Sequence, residues 1–300
     1  TGTVNGNGTL NSTGSLNVVS GNVSIANSSN LSSGTLTGGT WIVGSTTSGS
    51  KGSKAFLSIG SGAITTNNAN VQLVGAGASF SQLNSLTDNN GSLTVRDGAS
   101  FTRAALNNTG TLTVASGGVV NLASSANFSS DSLTGGTWVV DNTGGTSSLK
   151  VGSGFIRTNN ANIELIGSGA QSSFSQLAGL ANNSGSITIG AGATLDNLSK
   201  VGATLTNTGT LTVLSGGNIT LGKTGNLSNG TLTKGTWVVD GSGGSAAILQ
   251  IGTGNILANN ANIQLIGANA NFAQLATLAN NQGTLTIGNG ANYATGAPLV

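Results

Sequence analysis

The sequence predicts an all-β protein, a parallel, right-handed β-solenoid of about twelve coils near 25 residues each. Three observations predict it: a phrase that returns at a long interval, a shorter period nested inside that interval, and a composition nearly free of charge. The phrase Gly39-Thr40-Trp41-Ile42-Val43 comes back as Gly136-Thr137-Trp138-Val139-Val140 and again as Gly235-Thr236-Trp237-Val238-Val239. All three tryptophans of the protein stand in this slot, 97 and then 99 residues apart. Self-similarity at a fixed interval is the sequence signature of a repeat architecture.

Four related phrases make up each long repeat of about 98 residues. The first runs over 108–114 and 207–213 and, more loosely, 12–18; the second is the Trp phrase. The third begins Asn-Asn-Ala-Asn, at 67–74, 159–166 and 259–266, and the fourth covers 89–95, 182–189 and 280–287. One apolar landmark from each gives Leu112, Trp138, Ile163, Ile187, Leu211, Trp237, Ile263 and Leu285, spaced 22 to 26 residues apart. The chain therefore reads as a single continuous solenoid segment over 1–300, with long repeats at roughly 10–106, 107–205 and 206–300.

Charged residues are 5% of the chain, against about 25% in a typical soluble domain. Disorder does not explain this, because Val, Ile, Leu and Thr recur in short alternating runs that a disordered chain lacks. Stacking does. Inward side chains meet their equivalents one coil above and below, so an inward charge would cost several kcal/mol in every copy.

Within one unit, 210–213 and 218–221 alternate apolar with polar residues at period two, as strands do, and 226–228 reads as a third strand. Small-residue corners at 215–217 and 223–225 separate them. Each strand pairs with its counterparts about 4.8 Å away, so twelve coils predict a rod of roughly 55–60 Å. Corner asparagines, above all the doublets Asn67-Asn68, Asn159-Asn160 and Asn259-Asn260, suit amide ladders. One local exception to strand is expected: Phe80/Leu83/Leu86, Phe174/Leu177/Leu180 and Phe272/Leu275/Leu278 have the spacing of a single helical or 3₁₀ turn.

Catalytic chemistry has little to draw on. Histidine and cysteine are absent, which removes the usual general base, disulfides and thiolate metal sites. The seven carboxylates are Asp88, Asp97, Asp131, Asp141, Glu164, Asp196 and Asp240. Asp141 and Asp240 share a slot one long repeat apart, about 19 Å along the stack, too far for a glycosidase pair. No Gly-rich string carries the aspartate a calcium-binding solenoid loop needs, and none precedes a helix that could cradle phosphate. No cofactor and no metal are expected. A net charge of +2 from nine scattered basic residues does not make a nucleic-acid surface, and no apolar run is long enough to insert in a membrane. Residues 1–4 have no secretory character, so any export signal lies outside this chain. A catalytic graft would break the register; the one insertion, 45–54, is Ser, Gly and Thr with two lysines, and reads as a corner.

Two surface features remain. Thr111/Thr113, Thr210/Thr212 and Thr284/Thr286 are outward pairs of the kind that could face ice, though Ser15, Ser92 and Ser186 interrupt the array. In the Trp phrase, Trp237 and Val239 are expected inward and Val238 outward, which would set Ile42, Val139 and Val238 in a sparse apolar row open to self-association.

The phrases Asn-Thr-Gly-Thr-Leu-Thr-Val at 207–213 and Asn-x-Gly-Thr-Leu-Thr-Ile-Gly at 281–288 resemble those of large, repeat-built bacterial exoproteins, the filamentous-haemagglutinin-like and autotransporter-type adhesins with β-helical stalks. The resemblance spans the chain and implies export, an extracellular or cell-surface setting, and a role in a fibre, stalk or adhesin. The expected function is structural and non-catalytic; the alternative is a binding module that offers a Thr/Ser/Asn-rich face to surface glycans or ice. The expected partner is the protein itself, through coils stacked end to end or continued in the same chain.

Overall fold

The computed structural model describes residues 2–44, 54–196, 204–294 and 296. These form two compact units, one from Thr1–Ser129 with Gly135–Ser153 and one from Ser130–Thr134 with Gly154–Val300, so the division falls within long repeats. Each unit is a parallel β-solenoid with three faces.

The first face carries the landmark residues. In the first unit Leu16, Trp41, Val71, Leu93, Leu112 and Trp138 pair in direct register, rung on rung. In the second, Ile163, Ile187, Leu211, Trp237, Ile263 and Leu285 do the same. Six rungs in each unit match the spacing read from the sequence. The inward residue two positions on forms a second column, as in Val43, Val114 and Val213, all fully buried. Period-two alternation puts the residue between them outside.

A second face stacks shorter strands. Thr3–Leu10, Gly21–Ser28, Ala55–Ile59 and Ala78–Ser79 form one parallel set. Thr194–Asp196, Asn218–Leu221, Ala247–Ile251 and Ala270–Asn271 form its counterpart in the other unit. At the coils with Phe-x-x-Leu, the expected turn is present as 3₁₀ helix at Ser81–Ser85, Ser175–Gly179 and Ala273–Thr277. Its phenylalanines and leucines all point into the core.

The third face corrects the reading of the asparagine doublets. Their first member lies in the interior rather than in a corner: Asn67, Asn89 and Asn108 stack in register, as do Asn159, Asn183 and Asn207, all fully buried. Each Nδ2 donates to the next Oδ1, from Asn67 to Asn89 at 2.8 Å and from Asn89 to Asn108 at 2.7 Å. The same group also donates across the core to the first carbonyl of a following strand, Ser92 for Asn67 and Thr111 for Asn89. A buried amide is tolerated because every hydrogen-bonding atom finds a partner.

The segment 226–228 is not a third solenoid strand. Leu227–Ser228 pairs antiparallel with Thr231-Leu232 in a tight hairpin closed by Asn229 and Gly230, whose φ angles of 48° and 76° are left-handed at both central positions. That geometry is the two-residue turn matched to strand twist. Beneath the hairpin sits Asn226, buried, with Oδ1 accepting the Asn207 N–H and Nδ2 donating to the Asn207 and Thr233 carbonyls. Asn30 holds Ser12 and Thr37 in the same way.

The Trp phrase is built on a bulge. Opposite the single residue Ala69 the Trp41 strand carries two, Gly38 and Gly39, both with positive φ. The bulge turns the chain so that the indole N–H donates to the carbonyl three residues back: Trp41 to Gly38, Trp138 to Gly135, Trp237 to Lys234, at 2.9 to 3.0 Å. At the second bulge position only glycine fits, since a Cβ on Gly235 would lie 2.7 Å from the Asn207 carbonyl oxygen. The first position is different. Lys234 is exposed and holds φ at 61°, where its sisters are Gly38 and Gly135. Lys234→Gly is expected to stabilise the protein by about 0.5–1 kcal/mol, because the left-handed penalty of a side chain outweighs the extra freedom of glycine when unfolded. Urea unfolding of the variant measures it; a loss of stability would mean that the lysine stem contributes packing.

Candidate functional site

The residues expected in an apolar row lie where the alternation puts them, but they do not form a row. Ile42, Val139 and Val238 are outward on the first face and half-buried. Within the first unit the outward column reads Asn17, Ile42, Gln72, Thr94, Thr113, Val139, so three polar rungs separate the two apolar ones. In the second unit Val238 stands between Thr212 and Gln264. The neighbouring outward column is uniformly hydroxyl or amide: Ser15, Thr40, Asn70, Ser92, Thr111 and Thr137 in the first unit.

The carboxylates are dispersed, each answered by a local partner. Arg96 pairs with Asp97 at 2.7 Å and Arg157 with Asp131 at 3.1 Å. Asp88 accepts from Thr87 and Asn107, Asp141 from Thr143, and Asp240 from the Ser242 N–H. Among the described residues no three acidic side chains come together as a metal site would need. Tyr293 is the one group displaced from its ordinary pKa, upward, because its hydroxyl is partly buried. No helix of the described residues is long and apolar enough to cross a membrane. The insertion at 45–54 lies, Lys54 apart, outside the described residues.

Three concavities open at the surface. One, of about 300 Å³, runs between Lys223, Leu227 and Gly252 beside the hairpin of the second unit. The other two are a matched pair. The second-face stack is interrupted after Ala78–Ser79, which pairs with Ala55–Ile59 but not with the next strand, Ser100–Asn108. A cleft of about 110 Å³ remains there, between Phe80 and Phe101. In the second unit a cleft of about 160 Å³ lies between Phe272 and Tyr293. Every residue lining the second has its counterpart 192 positions earlier in the lining of the first.

The repeat between them fills this place. Gly75 to Phe80 and Gly267 to Phe272 are five residues apart, while Gly167 to Phe174 is seven. The two extra residues form a helical turn, Ala170–Ser173. From it Gln171 reaches the next coil, its Oε1 accepting the Asp196 N–H at 3.0 Å and its Nε2 donating to the Asp196 carbonyl at 2.8 Å. Nothing in the residue types marks these clefts; only the two-residue difference in spacing signals them. Comparisons with protein-family models, curated proteins and solved structures found no match.

Proposed function

We propose that this chain is a structural segment of an extracellular bacterial fibre, stalk or surface adhesin, with no catalytic activity of its own. The observation that carries the proposal is the uniform cross-section of each unit. Six rungs repeat the same inward columns, the polar interior is an amide ladder that repeats with them, and polar groups on the surface are dispersed rather than convergent. Such a body transmits load along its stack and offers long flat faces, while a reactive centre needs several groups brought to one point.

Self-association through stacked coils belongs to the same reading. On the coil carrying Thr284–Gly288, Ile287 is 43% exposed although it occupies the column in which Ile189 and Val213 are fully buried. Burying such a side chain is worth about 1.5–3 kcal/mol, and the strand beside it offers backbone groups to a further rung. With net charge +2 there is little repulsion to oppose it. A glycan-binding face is the second reading, supported by the unbroken hydroxyl and amide column of the first face.

Sedimentation of the chain across a concentration range, with electron microscopy of the same samples, tests the proposal. Filaments or concentration-dependent end-to-end oligomers are expected. Monodisperse particles at every concentration would argue against stacking by this surface.

A further inference from the structure

We propose that the cleft between Phe80 and Phe101 and the cleft between Phe272 and Tyr293 are receptor sites for the carboxamide of a glutamine side chain carried by a partner polypeptide. The inference stands independently of whether the chain builds a fibre.

The backbone of each cleft has an unfilled donor and acceptor. In a β-strand the N–H and C=O of one residue point to the same side, and successive residues alternate. The Val119 N–H donates to the Ala99 carbonyl, so Ala99 faces away from the cleft, and Ser100 and Thr102 face into it. In the middle repeat the Asn218 N–H donates to the Ala193 carbonyl, and Asp196, three residues on, faces the side where Gln171 lies. Thr102 stands three residues after Ala99, and Ala294 three after Ala291, so each occupies the place of Asp196. No strand pairs with Ser100–Asn108 from the cleft side.

The ligand chemistry follows from how this fold fills such places. Gln171 spans the N–H and C=O of a single residue with one primary carboxamide, whose oxygen and N–H lie on the same edge. Gln82 does the same to Ile59, at 2.8 Å for both bonds. Gln274 does it to Ile251, at 2.7 and 2.9 Å. A trans peptide group holds its N–H and C=O on opposite edges and cannot make this pair. A carboxylate lacks the donor, and an ammonium lacks the acceptor. Volumes of about 110 and 160 Å³ equal roughly four and five water molecules at 30 Å³ each, enough for a carboxamide and its methylenes. The aromatic walls cover those methylenes. Two clefts on one chain would let a partner with two glutamines gain by avidity.

Nuclear magnetic resonance of the full chain decides the matter, with N-acetylglutamine amide as probe and N-acetylglutamate amide as its near-isosteric control. The glutamine probe is expected to shift the Thr102 and Ala294 amide resonances saturably at about millimolar concentration, as one small side chain allows. Asp196 should not respond, because Gln171 already holds it. In Gln171→Ala, Asp196 should become a third responding amide. Equal shifts with the glutamate probe would overturn the proposal, since the clefts would then not read the donor–acceptor pair. So would silent Thr102 and Ala294 amides up to saturating probe, or a preference for an extended glycine peptide, which would make the clefts strand-docking edges. The wild-type arms decide the question even if Gln171→Ala loosens its own coil.

Discussion

Trp237→Ala is expected to destabilise the second unit by about 3–5 kcal/mol, the range for emptying a buried tryptophan site. Trp237 is fully buried and sits in a column between Leu211 and Ile263, so the cavity opens against two rungs at once. Solenoid rungs are held by strand pairing above and below, which limits how far the neighbours can move in to close it. Loss of the indole N–H also strips the Lys234 carbonyl of its donor at the bulge. Trp237→Phe separates the two effects: it keeps most of the apolar volume, removes that hydrogen bond and should cost about half as much. Val238→Ala, one residue away but outward, should cost under about 1 kcal/mol. Urea unfolding followed by far-ultraviolet circular dichroism measures all three. Near-equal losses for Trp237→Ala and Val238→Ala would contradict the inward and outward assignment of the Trp phrase.

That assignment was legible in the sequence because the first face is monotonous. Period-two alternation, repeated every 22 to 26 residues, leaves one register in which every landmark is inside. The Phe-x-x-Leu turns were legible for the same reason, three copies of one spacing. The asparagines were misplaced because residue type was weighed above register. Continuing the alternation of Val71 and Leu73 backward through Ala69 leads to Asn67, and all four are buried. A buried polar residue reads as a surface one until its partners are known, and those partners lie 19 to 27 residues away. The hairpin at 226–232 was hidden differently: Asn229-Gly230 is a strong turn signal, but between strands only two residues long it was absorbed into a corner. Of the candidate site, the outward position of Ile42, Val139 and Val238 was readable and their separation by polar rungs was countable. The paired clefts were not, because a cleft between coils depends on where a ladder stops.

The asparagine ladder invites a second large effect. Asn183→Leu keeps the shape of the side chain and adds apolar surface, so a hydrophobic account alone would make it harmless. The hydrogen bonds predict otherwise. Asn183 accepts from Asn159 at 2.8 Å and donates to Asn207 Oδ1 at 2.8 Å and to the Thr210 carbonyl at 3.0 Å. Leucine leaves two acceptors without that donor, while Asn159 keeps only its longer bonds to the Ala161 and Ser186 carbonyls. Each unsatisfied buried group costs about 1–3 kcal/mol, so a net loss of about 3 kcal/mol is expected after the gain in apolar burial. Asn183→Asp adds a test with pH. A carboxyl at this fully buried position has its pKa raised by desolvation, so the folded state holds its proton more tightly than the unfolded chain. Stability of this variant should then fall as pH rises above the ordinary aspartate value of about 3.9 and recover as pH is lowered through it. Urea midpoints for both variants at pH 7, and for Asn183→Asp at pH 4 beside the parent protein, give the answer. A loss under about 1 kcal/mol for Asn183→Leu would mean that the ladder sets the register of the coils without adding to their stability.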